Sequence, residues 1–126
     1  LGENGRLFVI VGRYTFSAGI GSAAILLNAA GDRATLVGED MSDRSRFYSE
    51  GGVVCAPNSG YCLRYTDGLY DHATGCAGQP LCRRENRRFH LIIGSLHPTL
   101  FAPTTWRDYL AKRDPAMEAI RASLQR

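Results

Sequence analysis

Lysine is nearly missing from these 126 residues: fourteen of the fifteen basic side chains are arginine, and Lys112 stands alone. The bias fits a GC-rich genome, and it removes almost every position at which a lysine base could sit. Arginine is no substitute, because its pKa stays above about 12 in proteins. Long apolar runs are missing too: none approaches the roughly 18 residues that a bilayer span needs. The opening LGENGRLFVIVG has neither the basic n-region nor the small-residue cleavage site of a secretory signal. Excess charge is equally scarce, and a net +3 does not by itself point to nucleic acid. The densest basic stretch, CRRENRRFH from Cys82 to His90, has no aromatic residues interleaved with its charges, so it reads as a solvated loop. A nucleic-acid surface built on Arg83, Arg84, Arg87 and Arg88 is kept only as a third reading.

Also absent is any C-x-x-C pair among Cys55, Cys62, Cys76 and Cys82, which makes a structural zinc site a poor fit. No metal or organic cofactor is implied. Cys55 and Cys62 bracket APNSGY, a turn sequence, while Cys76 and Cys82 bracket the short loop AGQPL. Two local disulfides fit these spacings and favour an oxidising compartment. Four free thiols, or other pairings, stay open at this point.

What is present suits one soluble globular domain over residues 1–126, with 44% hydrophobic and 21% charged residues. RLFVIVG (Arg6 to Gly12) is a β-branched and aromatic run of the kind buried on both faces in a parallel sheet. Ser17 to about Ala30 reads as a helix whose Ile20, Ala23, Ala24, Leu26, Leu27 and Ala30 form a wide apolar stripe. Gly31 lies where helices stop, and RATLVGE (Arg33 to Glu39) reads as a second strand. The unit is strand, helix, parallel strand.

Downstream, DMSDRSRFYSEGG reads as a loop, and GVVCA and YCLRYT as a hairpin around PNSG. DGLYDHATGCAGQP reads as surface loop, FHLIIG (Phe89 to Gly94) as a short strand, and HPTLFAPTTW as extended. In the tail, Asp114 is the expected N-cap, Pro115 the first helical residue, and Met117, Ile120 and Leu124 the docking face. Trp106 and Tyr109 are expected to pack this tail onto the core. Glu39 is expected to end its strand and bind a backbone amide, and Asp40 and Asp43 to be solvated.

The chemistry concentrates on Ser17. A serine where a strand hands over to a helix is most simply a cap. The same place also suits a nucleophile, because helix N-termini present unpaired N–H groups and partial positive charge to a developing oxyanion. Ligands of α/β sheets gather at the carboxyl ends of strands, and the small Ala18 and Gly19 allow a carbonyl close approach.

RLFVIVGRYTFSAGIGSAAILLNAAGDRATLVGE resembles the nucleophile segment of the tail-specific, or C-terminal-processing, serine peptidases. It is closest to their branch that includes the tricorn core and the interphotoreceptor retinoid-binding protein. The elements that carry the resemblance are Thr15-Phe16-Ser17-Ala18-Gly19, then Val37-Gly38-Glu39, the PNSG turn, and the ending DYLAKRDPAMEAI. The resemblance implies an α/β fold of the crotonase-like ββα superhelix type, of which this chain is the C-terminal part of the catalytic core. It implies a serine endopeptidase with Ser17 as nucleophile and the Ala18 N–H as oxyanion donor, acting on an extended polypeptide. The implied setting is bacterial and exported, in the cell envelope or outside the cell. A catalytic lysine is not matched, since Arg44 stands near its place. The general base is therefore expected from a histidine in an earlier half of the core, with the chain alone inactive. His72 and His90 are the candidate bases within the chain, and His97 reads as structural or exposed. The alternative is a non-catalytic ligand- or peptide-binding module of the same fold.

Overall fold

A computed structural model of the chain describes residues 2–42, 45–83 and 91–125. β1 (Leu7–Val11) leads through a turn into α1 (Ala18–Ala30), and a 3-10 turn at Gly31–Arg33 returns the chain to β2 (Ala34–Gly38). There follow β3 (Arg46–Ser49), β4 (Gly52–Cys55), β5 (Cys62–Tyr65), β6 (Gly68–Asp71) and β7 (Leu100–Phe101). Two helices close the chain, α2 (Trp106–Leu110) and α3 (Pro115–Leu124). Among the described residues no helix is long and apolar enough to cross a membrane.

β1 and β2 run parallel, from Leu7 opposite Ala34 to Val11 opposite Gly38, and β7 adds to the far edge of β2, also parallel. Side chains alternate between the two faces of a strand. Val9 and Val11 of β1 and Leu36 of β2 therefore pack against Ile20 and Ala23 of α1. On the opposite face Phe8, Val37 and Leu100 gather around Ala116 and Ile120 of α3. Each such side chain removed from water contributes about 1.5–3 kcal/mol before the entropy of ordering is subtracted. Ile10 departs from the expectation that β1 is covered on both faces, because α3 packs on β2 and β7 and leaves this edge strand partly bare. Leu26 is likewise exposed: α1 packs on β1 and β2 through Ile20, Ala23 and Ala24, a narrower apolar stripe than predicted.

Two segments read as loops are strands. β3 and β6 pair antiparallel, with Arg46 opposite Asp71 and Ser49 opposite Gly68. Phe47 of β3 enters the main core and stacks on Tyr70 of β6 at 5.1 Å between ring centroids. Leu69, on the other side of β6, packs on the disulfide between Cys76 and Cys82. FHLIIG makes no strand over Leu91–Gly94, although the Ile93 N–H donates to the His72 carbonyl at 2.9 Å. Phe89 and His90 lie outside the described residues.

The hairpin of β4 and β5 forms as expected, with Cys55 directly opposite Cys62 and bonded to it. The two disulfides are compatible with an oxidising, exported location. At the C-terminal end Asp114 caps α3, its Oδ1 accepting the Met117 N–H at 3.0 Å. The buried face of α3 is Ala116 and Ile120, while Met117 and Leu124 face outward. Trp106 and Tyr109 do not pack on the core: they stack on each other at 5.3 Å and remain 71% and 67% exposed. The polar linker before them is drawn instead into a capping box, in which the Thr105 and Asp108 side chains satisfy each other's backbone N–H groups.

Candidate functional site

The site begins with the turn that joins β1 to α1. The Thr15 N–H donates to the Gly12 carbonyl at 2.8 Å, and the Gly12 N–H donates to Thr15 Oγ1 at 3.1 Å, so Thr15 closes this turn on itself. Arg13, within the turn, donates from Nε to Glu39 Oε2 at 2.9 Å. Glu39 Oε1 accepts the Thr104 N–H at 2.9 Å, which is the backbone-amide role expected for it. The Arg13 hydrogen bond, then the Thr104 amide, hold the Glu39 carboxyl below the usual carboxylate range against the opposing effect of burial.

Gly38 makes this arrangement available. It has φ +117, and a Cβ there would stand 2.1 Å from the Val11 carbonyl oxygen. That same oxygen accepts the Glu39 N–H at 3.1 Å. Val37-Gly38-Glu39 thus ties the end of β2 to the end of β1, immediately before the serine turn. Gly19 has a related role, since a Cβ there would stand 3.1 Å from Thr15 Cγ2.

Ser17 then emerges with φ 51 and ψ −118, a backbone combination ordinarily left to glycine. Its side chain makes no capping hydrogen bond to α1. The simple capping role is therefore not the one this serine plays. The hydroxymethyl group is half-buried and borders a cavity of about 260 Å³. Ala18 borders the same cavity, exposed, at the first position of α1, where a backbone N–H has no intrahelical acceptor. The next N–H, of Gly19, is taken by the Phe16 carbonyl at 3.0 Å.

Ile25, Phe47 and Leu91 give the cavity an apolar wall; Tyr70, Glu50 and His72 complete its far side. Glu50 is held there by the Tyr70 hydroxyl, which donates to its Oε1 at 3.0 Å, and by Arg83 Nε at 3.5 Å. Glu50 also has a positive φ, 58°, so two of the three non-glycine residues with positive φ among the described residues line this one cavity. Backbone strain gathers at functional sites when the surroundings over-determine it.

His72 is only 3% exposed, and neither of its ring nitrogens has a hydrogen-bond partner. Burial lowers its pKa, and the neighbouring Asp71 charge opposes this only in part, so the ring is neutral at pH 7. Asp71 itself does not bond the ring. Its Oδ1 accepts the Ala73 and Thr74 N–H groups at 3.0 and 2.8 Å, and its Oδ2 accepts the Thr74 hydroxyl at 2.9 Å. Burial pushes the Asp71 pKa up, but these hydrogen bonds and Arg46 outweigh it and the net shift is downward.

The structure thus brings Ser17, Ala18 and His72 to one cavity. His90, the other candidate base, lies outside the described residues, as do Asp43, Arg44, Arg84, Arg87 and Arg88. Arg83 is ion-paired with Asp67 at 3.0 Å as well as with Glu50, which turns it inward to the fold's own acids. Asp40 is not merely solvated: its Oδ1 lies 2.6 Å from His97 Nδ1, and the His97 ring stacks on Phe101. Glu50, Phe47 and Tyr70 are cavity residues that the sequence reading passed over. For Phe47 and Tyr70 the one local hint is that RFYS and GLYD hold aromatic β-formers between turn residues, which does not by itself separate a strand from a loop; Glu50 carries no signal. Comparison of the chain with protein-family models, with curated proteins and with solved structures finds no match.

Proposed function

We propose that this chain carries the nucleophile of a serine peptidase of the tail-specific and tricorn-like type, with a crotonase-like catalytic core. The observation that carries the reading is the Ser17 backbone, held at φ 51 and ψ −118 at a helix N-terminus while its hydroxyl makes no cap. A capping residue has ordinary extended dihedrals and uses its oxygen on the helix. Ser17 does neither, and its strain of about 1–3 kcal/mol is explained if the hydroxyl is being presented to something else.

In this mechanism Ser17 Oγ bonds to the carbonyl carbon of the scissile peptide as a base removes its proton. The carbonyl oxygen becomes an oxyanion that the Ala18 N–H stabilises; one such donor is worth about 3–4 kcal/mol in the transition state. Collapse breaks the C–N bond, the base's proton passes to the leaving amine, and water then hydrolyses the acyl ester on Ser17. On the same reading the bare edge of β1 receives strands from an earlier half of the core, and the setting is the bacterial envelope or beyond.

A second reading, a ligand-binding module of the same fold, draws on the apolar wall of the cavity and on the absence of a hydrogen bond between His72 and Ser17. A fluorophosphonate probe applied to the full-length protein separates the two. Labelling that disappears in Ser17→Ala supports the peptidase, and an unlabelled wild-type protein supports the binding module.

A further inference from the structure

A buried imidazole without partners is costly. Each polar group left unpaired in the interior costs about 1–3 kcal/mol, and a neutral histidine has both a donor and an acceptor to satisfy. Buried side chains of this kind are almost always hydrogen-bonded. Among the described residues His72 has Nδ1 and Nε2 both enclosed and both without a hydrogen bond; the other such atom, Arg83 Nε, at least has the Glu50 carboxylate 3.5 Å away.

Its position is nonetheless held from several sides. The His72 N–H donates to the Ser45 carbonyl at 2.8 Å, and its carbonyl accepts the Ile93 N–H at 2.9 Å. Asp71 fixes the backbone on the other side by bonding Ala73 and Thr74. The ring meets Phe47 edge-on at 5.9 Å and Tyr70 at 6.2 Å. The backbone is pinned, so the ring adjusts only by rotation about its two side-chain bonds. This placement would serve packing equally well with phenylalanine, at no polar cost. The nitrogens call for a partner, and of the three serines at the cavity that His72 lines, Ser17, Ser22 and Ser49, only Ser17 stands on a strained backbone at a helix N-terminus.

We infer that His72 is the general base for Ser17, supplied from within this chain and not from an earlier half of the core. The inference rests on the reading of Ser17 as nucleophile. The unprotonated ring nitrogen takes the Oγ proton as Oγ bonds to the acyl carbon, and gives it to the amine nitrogen as the C–N bond breaks. The groups around the imidazolium that forms are the Asp71 carboxylate beside it, Arg46 of β3 at 3.8 Å from Asp71, and Glu50 with Tyr70 and Arg83 across the cavity. Burial opposes the charged ring, and the Asp71 charge favours it. The resting ring is neutral and competent to accept a proton at neutral pH.

The test is the rate of fluorophosphonate labelling of the full-length protein as a function of pH. The wild-type rate is expected to fall on acidification through one inflection below about pH 6.5, the ordinary histidine value. His72→Phe keeps the packing against Phe47 and Tyr70 and is expected to lose about 10²–10⁴-fold in rate, together with that inflection. Should H72F fail to fold, His72→Asn is read in the same way. Labelling of the folded variant at the wild-type rate, inflection intact, overturns the inference and leaves the role of Ser17 standing. A wild-type protein that is not labelled at all overturns both.

Discussion

Replacing Ser17 with glycine should make the protein more stable while removing the proposed nucleophile. At φ 51 and ψ −118 a side chain carries about 1–3 kcal/mol of backbone strain that glycine does not. Glycine gives back about 0.5–1 kcal/mol, because its unfolded chain has more freedom to lose. No capping bond is forfeited, since the serine makes none. The net is a gain of about 0.5–2 kcal/mol. For a domain of this size each kcal/mol moves Tm by about 4 °C, so the expected rise is about 2–8 °C. Ser17→Ala keeps the Cβ, and with it the strain, so it should leave Tm nearly unchanged. A serine that merely capped α1 would behave oppositely: alanine would cost about 1 kcal/mol and glycine a few tenths. Thermal and denaturant unfolding of the three proteins, followed by circular dichroism, distinguishes the patterns. If S17G unfolds below the wild type and S17A lower still, Ser17 is an ordinary cap and carries no such strain.

Two further outcomes follow from the strand ends that hold the serine turn. Gly38→Ala forces a Cβ to within 2.1 Å of the Val11 oxygen at φ +117, and should destabilise by at least about 3 kcal/mol, read from the shift in the urea midpoint. The Glu39 carboxyl is held down in the folded state, so its contribution is present above its unfolded value of about 4.3 and is lost as pH falls through the lower folded value. Glu39→Gln should therefore be less stable than the wild type at pH 6, with the gap closing below about pH 4; a gap constant from pH 6 to pH 3 would contradict the role given to Arg13 and Thr104.

How far the sequence discloses the fold depends on whether a segment's partners are near or far along the chain. The strand–helix–strand unit is legible because Leu7–Val11 and Ala34–Gly38 are apolar enough to be strands whatever they pair with, and the helix between them has a glycine stop. The β4–β5 hairpin is legible because its turn is local and its cysteines face each other. β3 and β6 are not. Each is four residues long, and the register that makes Phe47 stack on Tyr70 spans more than twenty intervening positions. Nothing within RFYS or GLYD alone separates a strand from a loop. The same holds for α3, whose N-cap and proline are visible locally; the face it buries is set by Phe8, Val37 and Leu100, which lie far off in sequence.

The site divides along the same line. Ser17 and Ala18 can be found by reading, because a strand, a small-residue turn and a helix follow one another directly. The conformation of Ser17 cannot, since the turn that leads into it is tied to residues far along the chain: Arg13 to Glu39, the Val11 carbonyl to the Glu39 N–H, and the Thr15 carbonyl to Ser42 Oγ, which donates to it at 3.3 Å. His72 is harder still. In sequence it stands beside Asp71 and invites the notion of an acid–base pair, yet Asp71 spends its oxygens on Ala73 and Thr74. Only the β3–β6 pairing, which buries the histidine against Phe47 and Tyr70, turns it from a loop residue into an unpaired imidazole at the Ser17 cavity. Local sequence thus supplies the candidate nucleophile, and long-range packing supplies the conformation that leaves its hydroxyl uncapped and the imidazole that lines the same cavity.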